Sequence, residues 1–295
     1  MELLLQSKEM IKEIKNKVDN FHHSLFDHFI INNYEINENA ISIVMTSSNR
    51  SKQVYFTLQT MLKNKCKNIQ IILVDDSTSD PVNINILKHY PYYIDFISIK
   101  RENKNWVNPC VNYNIGFKFI KGNKVVIQNA EVCHVGYPLD FINKCMNDNS
   151  YYVFDVKAVS NYENNEIIYQ SNLTNTNIYD LDVYISLWYQ HSVYNNRQFH
   201  FFTACNIETF KKINSFSYDY TLGNCFDDDD FVLKILSKNI NIINVKSEDY
   251  FFGGIHLFHT LFGNSEYKDT ISNENIFSHK QNIYTQNNYI DIFDN

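Results

Sequence analysis

Four short, nearly continuous apolar runs alternate with helical patterns in the first half of this chain. The runs are ISIVMT (41–46), IQIILV (69–74), YIDFISI (93–99) and KVVIQ (124–128). Runs of this kind are typical of strands buried on both faces, which occur in parallel sheets because crossover helices cover each face. Apolar residues at helical spacing lie between the runs, over 53–62, 83–90 and 111–120. The alternation predicts βαβ units and an α/β fold with a central, mostly parallel sheet flanked by helices.

The flanking regions are less regular. Residues 3–30 carry apolar side chains at three- and four-residue steps, which predicts one amphipathic helix. The second half contains strand-like runs at 151–159 and 199–207 and a helical pattern over 227–236, and its last thirty or so residues are polar. We therefore predict a single domain with two extensions: an N-terminal helical extension (1–39), the domain itself (40–262) and a C-terminal extension (263–295).

Charge and cysteine usage exclude several classes of protein. The net charge is −7 and no run of Lys and Arg forms a concentrated basic face, so we predict no nucleic-acid partner. No apolar run approaches the roughly 18 residues of a membrane span, and none of the six cysteines forms a Cys-x-x-Cys pair. These features predict a soluble protein without a transmembrane segment, in a reducing, intracellular (cytoplasmic) compartment.

Polar side chains follow the first two predicted strands. Thr46 ends the first strand, Ser48 and Arg50 follow it, and Asp76 follows the second. Ligands of open α/β sheets bind beyond the carboxyl ends of the strands, where an Arg could hold phosphate and a carboxylate could hold a base or ribose. Ordinary turns use the same residue types, so this pattern leaves a nucleotide site and a plain turn equally open.

Several ordered motifs together resemble family 2 glycosyltransferases, which have the GT-A (Rossmann-like) fold. The matching segments are ISIVMTSSNRSKQVYFTLQTM (41–61), IILVDDSTSD (71–80), NPCVNYNIGFKFIKGNKVVIQNAE (108–131) and FTACNIETFKKINSFSYDYTLGNCFDDDDFVLKI (202–235). The resemblance covers roughly residues 41–260 and implies a nucleotide-sugar donor, with a UDP-sugar as the first choice. Carried over residue by residue, it assigns to donor binding Thr46, Ser48, Arg50, Asp76, Asn114 and Asn129.

Asn129-Ala130-Glu131 stands where that family has its Asp-x-Asp motif. The resemblance implies that Glu131 binds Mn²⁺ or Mg²⁺ on the donor diphosphate, a role that suits a hard oxygen ligand. Asn129 is neutral and should weaken binding of the metal ion; the alternative is that the site is degenerate and inactive. The chain is rich in Asn throughout, a bias that we attribute to an AT-rich genome. The resemblance also implies metal coordination by His256, with His259 as second choice, and imidazole suits Mn²⁺.

Four consecutive acids, Asp227 to Asp230, begin the last predicted helix. An inverting transfer needs a base to take the acceptor proton, and the resemblance places Asp228 at the catalytic position, with Asp227 beside it. An acidic first turn also favours the helix dipole, which is the structural alternative. Asp219 matches the acceptor region of the family.

These assignments predict an inverting glycosyltransferase that moves a sugar from a nucleotide-sugar to a glycan or other acceptor hydroxyl. The alternative is a catalytically silent nucleotide- or sugar-binding module with the same fold. Sugar-nucleotide synthesis is disfavoured because no Gly-rich phosphate loop follows the first strand. The amphipathic N-terminal helix leaves a homodimer open.

Overall fold

The computed structural model describes residues 2–146, 149–173, 185–250, 252–260, 272–284, 289 and 291–292. The strands in these ranges are β1 (Phe26–Ile31), β2 (Ile41–Ser47), β3 (Ile69–Asp75), β4 (Tyr93–Ile99), β5 (Lys124–Gln128), β6 (Val132–Val135), β7 (Ser150–Phe154), β8 (Val156–Val159), β9 (Ile185–Gln190), β10 (Phe202–Asn206), β11 (Asn241–Val245) and β12 (Gly253–His256). The helices are α1 (Glu2–Asp19), α2 (Ser51–Met61), α3 (Ile84–Leu87), α4 (Cys110–Phe117), α5 (Pro138–Cys145), α6 (Tyr162–Gln170), α7 (Ile207–Ile213), α8 (Asp227–Ser237), α9 (Ser247–Tyr250) and α10 (Asn273–Tyr284).

Eight strands form the main sheet, in the order β1-β4-β3-β2-β5-β10-β7-β11. The four central strands β4, β3, β2 and β5 are parallel, as the apolar runs predict. Val44 and Ile72 pack on one face in a cluster with Tyr113 of α4, whereas Ile43 packs on the other face in a cluster with Leu58 of α2. Alternate side chains are thus buried under different helices, and the α/β prediction is confirmed.

A second sheet, in the order β6-β12-β8-β9, extends from the carboxyl end of the main one. The strand-like run at 151–159 forms two strands, because β7 pairs in the main sheet while β8 pairs in the second. Asp155 lies between them, and its Oδ2 accepts hydrogen bonds from the backbone N (2.8 Å) and Oγ (2.9 Å) of Ser247. Asp155 thus marks the point at which the chain passes from the main sheet to the second sheet.

The N-terminal region is not one long helix. α1 ends at Asp19, and β1 pairs antiparallel with β4 at the edge of the main sheet. Phe21 adopts a left-handed backbone (φ 50°), which a continuing helix does not allow. Apolar residues recur at helical spacing across this break, so periodicity alone could not reveal it. Ile11 and Ile14 belong to the same buried cluster as α4, so this region packs as part of the domain.

The C-terminal region also packs against the domain. Ile276 of α10 is buried in the cluster that includes Phe231 of α8, and Lys280 is 2.6 Å from Asp219. The predicted boundary between 262 and 263 lies outside the described residues. No helix within the described part of the chain is long and apolar enough to cross a bilayer.

Candidate active site

The second sheet brings three predicted metal ligands together. Glu131 lies between β5 and β6, and the antiparallel β6–β12 ladder places His256 opposite Val132. The backbone N of Leu257 donates to the carbonyl oxygen of Glu131 at 3.0 Å, so the chain that follows β12 stays beside Glu131. One ligand atom each from Glu131, His256 and His259 lies within 4.8 Å of the other two.

A single carboxylate oxygen contacts the other polar side chains of this cluster. Oε1 of Glu131 lies 2.5 Å from Nη1 of Arg50 and 3.2 Å from Nε2 of both His256 and His259. Glu131 is only 1% exposed. Burial alone would raise the pKa of its carboxyl, but Arg50 and the two imidazoles hold that pKa well below its usual range. Glu131 is therefore a carboxylate.

Two polar atoms of the cluster are buried without a hydrogen-bond partner among the described residues: Oε2 of Glu131 and Nε of Arg50. Buried polar groups rarely stay unpaired, so both atoms are suited to a bound ligand. A carboxylate with an unused oxygen and two imidazoles is a donor set that first-row divalent ions accept. The residues present therefore fit a divalent cation, and Arg50 adds a site for an anion.

Aromatic rings that the sequence did not single out fix the orientation of His256. Its ring stacks on Tyr189 of β9, with centroids 4.3 Å apart and planes 9° apart. Phe201 meets the same imidazole edge-on at 6.2 Å. Aromatic residues make up 15% of the chain, so no local signal marks these two as part of the site.

The predicted uridine contact, Asp76, lies in a dense polar cluster at the end of β3. Its Oδ1 accepts from Nη1 of Arg101 at 2.9 Å, and its Oδ2 accepts from Lys104 and from Nδ2 of Asn112 at 3.2 Å. Ser48 donates from Oγ to the Asp76 carbonyl at 3.1 Å, which ties the two strand ends together. Burial lowers the pKa of Lys104, and the Asp76 carboxylate offsets part of this effect. Nothing in the local sequence marks Lys104, which is buried.

Asn129 and Thr46 meet at the hydroxyl of Tyr113. This hydroxyl lies 3.1 Å from Oδ1 of Asn129 and also interacts with the Thr46 side chain. The ring of His200 packs edge-on against Tyr113 at 4.9 Å, and its Nδ1 is buried without a partner among the described residues. Burial lowers the pKa of His200 to about 4, partly offset by the charge of Glu131. His200 is a neutral imidazole that sequence reasoning missed.

The predicted catalytic acids lie at the start of α8. Asp227 is buried, and its Oδ1 accepts from Nδ2 of Asn108 at 3.0 Å while Oδ2 lacks a partner in the described structure. Burial, reinforced by the charge of Asp228, raises the pKa of Asp227 to about 7. Asp228 is half-buried, and burial raises its pKa as well. Both carboxyls therefore bind protons more readily than an exposed Asp does.

The backbone before these acids is strained. Cys225 and Phe226 have φ values of 62° and 67°, a left-handed conformation that bulky residues rarely adopt. Such strain persists only where surrounding contacts enforce it, and it is frequent at active sites. Here it sets the direction in which α8 presents Asp227 and Asp228.

Two residues predicted for substrate binding contact other parts of the chain. The amide of Asn114 is used by the backbone of Phe216, donating to its carbonyl at 3.0 Å and accepting from its N at 2.9 Å. Asp219 is 2% exposed and accepts from Lys280 and from the backbone N of Ile292 at 2.7 Å. Internal partners thus occupy both side chains, and their assignment to substrate binding stays a prediction.

Tyr113 connects the metal-ligand cluster with the acidic helix start. Burial raises its pKa, and the negative charges of Glu131 and Asp227 both add to this effect. Both carboxylates therefore act on one buried hydroxyl. The arrangement can hold a divalent cation and an anionic group on one side and accept a proton on the other.

Comparison with known proteins identifies the family of this chain and relatives of its fold. The family model described as "Glycosyl transferase family 2" matches residues 42–215. No curated protein matches the chain.

Among solved structures, S. aureus TarS is 13% identical, with a TM-score of 0.52 over 74% of this chain and 37% of that one. S. aureus TarS 1–349 in complex with UDP-GlcNAc has the same identity and TM-score over 84% of this chain and 66% of that one. A mannosyltransferase from Pyrobaculum calidifontis in complex with GDP-Man and Mn²⁺ is 12% identical, covering 89% and 66% of the two chains, but its TM-score of 0.46 is too low to support an argument. This chain spans 37–66% of the length of these structures, and the likeness to TarS establishes a common fold.

Proposed function

The chain belongs to glycosyl transferase family 2, and we propose that it moves a sugar from a nucleotide-sugar donor to an acceptor hydroxyl with inversion at the anomeric carbon. The observation that carries the proposal is the convergence of Glu131, His256 and His259 within 4.8 Å. The raised proton affinity of the carboxyls of Asp227 and Asp228 supports it.

On the donor side, Glu131 and the two histidines would hold Mn²⁺ or Mg²⁺, which neutralises charge on a diphosphate when bound. Arg50 would bind a phosphate oxygen, for which its guanidinium is suited. We assign the nucleoside to the region of Thr46, Asp76 and Asn129. The proposal of UDP is supported by TarS, which shares the fold and has been solved with UDP-GlcNAc.

On the acceptor side, Asp228 would take the proton from the attacking hydroxyl. The acceptor oxygen forms a bond to the anomeric carbon as the bond from that carbon to the phosphate oxygen breaks, and the nucleoside diphosphate leaves with the electron pair. Asp227 is held by Asn108, so it is less able to turn toward an acceptor. We propose Asp228, whose pKa burial raises, as the base. Asp227, whose own pKa the charge of Asp228 raises, is its buried neighbour.

One observation favours a second candidate, a silent binding module. Asn129 supplies no charge at the first position of the Asp-x-Asp motif, and its Oδ1 faces the Tyr113 hydroxyl at 3.1 Å. In such a module the donor would bind and remain intact.

The test is a donor-hydrolysis and transfer assay over a panel of sugar nucleotides with Mn²⁺. Asp228→Asn should lower turnover by about 10²–10⁴-fold, the usual contribution of a general base, with UDP affinity unchanged. Asp229→Asn is the matched control: it removes the adjacent half-buried carboxyl and should keep turnover near wild type. Undiminished turnover in Asp228→Asn contradicts the role of this residue. Binding of every donor without turnover by the wild type would support the silent module.

A further inference from the structure

Arg50 and Glu131 form an ion pair at the centre of the donor site. Nη1 of Arg50 lies 2.5 Å from Oε1 of Glu131, with the two side chains 21% and 1% exposed. Under the proposed function, each of these residues binds a different part of the ligand: Arg50 the diphosphate and Glu131 the cation. Neither can give its full charge to a ligand while it stays paired with the other.

Either ligand alone leaves one of these charges poorly compensated. A cation on Glu131 competes with the Arg50 guanidinium for the charge of one carboxylate, and the guanidinium then lies beside a second positive charge. A diphosphate on Arg50 leaves the buried Glu131 carboxylate facing further negative charge. Separating a buried ion pair is costly when one partner remains uncompensated. When cation and diphosphate bind together, each residue exchanges one partner for another.

From this geometry we propose that the site takes a divalent cation and the donor diphosphate as one unit, with Arg50 opposing the cation until a diphosphate draws the guanidinium away. This inference rests on the proposed function. The unpaired Nε of Arg50 and Oε2 of Glu131 support it, because each partner keeps a buried polar atom for a ligand. Coupling between two ligands is reciprocal and commonly amounts to about 5- to 150-fold in affinity.

Direct contact between a cation and a diphosphate also couples their binding, so cooperativity in the wild type does not isolate the effect of Arg50. The discriminating quantity is the affinity for Mn²⁺ in the absence of nucleotide. If Arg50 only binds phosphate, its removal leaves that affinity unchanged. If Arg50 competes for Glu131, its removal strengthens Mn²⁺ binding while it weakens UDP binding.

The experiment measures the Kd of Mn²⁺ alone, from the paramagnetic resonance signal of free Mn²⁺, for full-length wild type and Arg50→Gln. We expect Arg50→Gln to lower this Kd by about 5- to 150-fold. Lys52→Gln is the matched control, because Lys52 is also near the start of α2 but pairs with the exposed Glu166 at 2.5 Å. The control should bind Mn²⁺ like the wild type, since exposed pairs have weak effects.

Repeating the titration with UDP completes the test. UDP should lower the Mn²⁺ Kd of the wild type by a larger factor than that of Arg50→Gln.

Should Arg50→Gln not fold, Arg50→Lys keeps the charge but not the planar guanidinium, and should change the Mn²⁺ Kd in the same direction by a smaller factor. A folded variant that binds Mn²⁺ alone no more tightly than the wild type overturns the inference, while UDP binding by the wild type leaves the proposed function standing. A wild type that binds neither UDP nor Mn²⁺, separately or together, overturns both.

Discussion

At the scale of single residues, burial decides which acids of the chain can exchange protons near neutral pH. Asp227 has a pKa of about 7 because burial and the charge of Asp228 disfavour its ionised form. Its ordinary value is 3.8, so the folded protein binds this proton more tightly than the unfolded chain does. The stabilisation from the protonated carboxyl is complete below about pH 4 and is lost as the pH rises through about 7.

Asp227→Asn should reveal this dependence, because Asn stays neutral and keeps the shape of the side chain. We expect the free energies of unfolding of variant and wild type to diverge in favour of the variant between about pH 4 and 7, by at most about 4 kcal/mol, and to run parallel above that range. Urea denaturation at several pH values measures the difference. Asp19→Asn, in an exposed pair with Lys118, is the control and should have little effect. A constant difference for Asp227→Asn would contradict the raised pKa.

The family resemblance predicted part of this site. It implied that Glu131, His256 and His259 are metal ligands, and the structure brings these three residues together although they are distant along the chain. The residue type could not show that internal partners occupy Asn114 and Asp219. An amide or a carboxylate is the same residue in the sequence whether it binds the backbone or a substrate. His200 was missed for the opposite reason: an isolated His carries no signal until its buried surroundings are known.

At the scale of elements, α8 is held in place by α10 and the residues that follow it. Lys280 of α10 is 1% exposed and lies 2.6 Å from Asp219 and 3.5 Å from Asp230 of α8. The Tyr289 hydroxyl donates to Oδ2 of Asp230 at 2.6 Å. Asp230 therefore anchors the same helix whose first turn presents the proposed base.

Lys280→Met should uncouple this anchor. It leaves two buried carboxylates without their cation, so we expect a loss of about 3–5 kcal/mol in the free energy of unfolding. The control is Lys211→Met, which breaks the exposed 2.8 Å pair with Glu208 and should cost less than about 1 kcal/mol. Denaturant titration of both variants gives the comparison, and equal losses would show that the Lys280 cluster does not stabilise the fold.

Periodicity predicted the central strands because each is apolar on both faces and has a clear helix beside it. It failed at β1 and at the β7–β8 break. β1 continues the apolar spacing of α1, and the run over 151–159 is largely apolar on both sides of the break. Which sheet a strand joins is decided by tertiary hydrogen bonds such as those from Ser247 to Asp155, which no local window contains.

At the scale of the whole molecule, the proposed donor site spans both sheets. Arg50 follows β2 of the main sheet, whereas His256 ends β12 of the second. A ligand that bridges these residues must bind the folded state and not the unfolded chain, because residues so distant in sequence meet only on folding. Ligand binding should therefore stabilise the entire protein.

We expect UDP with Mn²⁺ at about 100 times the Kd to raise the free energy of unfolding by about 2.7 kcal/mol, with a Tm that rises with ligand concentration. Thermal denaturation with UDP alone, Mn²⁺ alone and both provides the measurement, and uridine with Mn²⁺ is the control that lacks the diphosphate. A Tm that does not depend on UDP and Mn²⁺ concentration would show that the two sheets do not share this ligand.

The pairing of β1 with β4 also affects how the chain folds during its synthesis. Phe26 pairs with Ile99, so the partner of Phe26 is translated 99 − 26 = 73 residues after it. At about 5–20 residues per second, a ribosome needs several seconds to supply that partner. During this interval the nascent chain carries an unpaired strand with the apolar side chains of Phe29 and Ile30, the kind of segment that chaperones protect from aggregation.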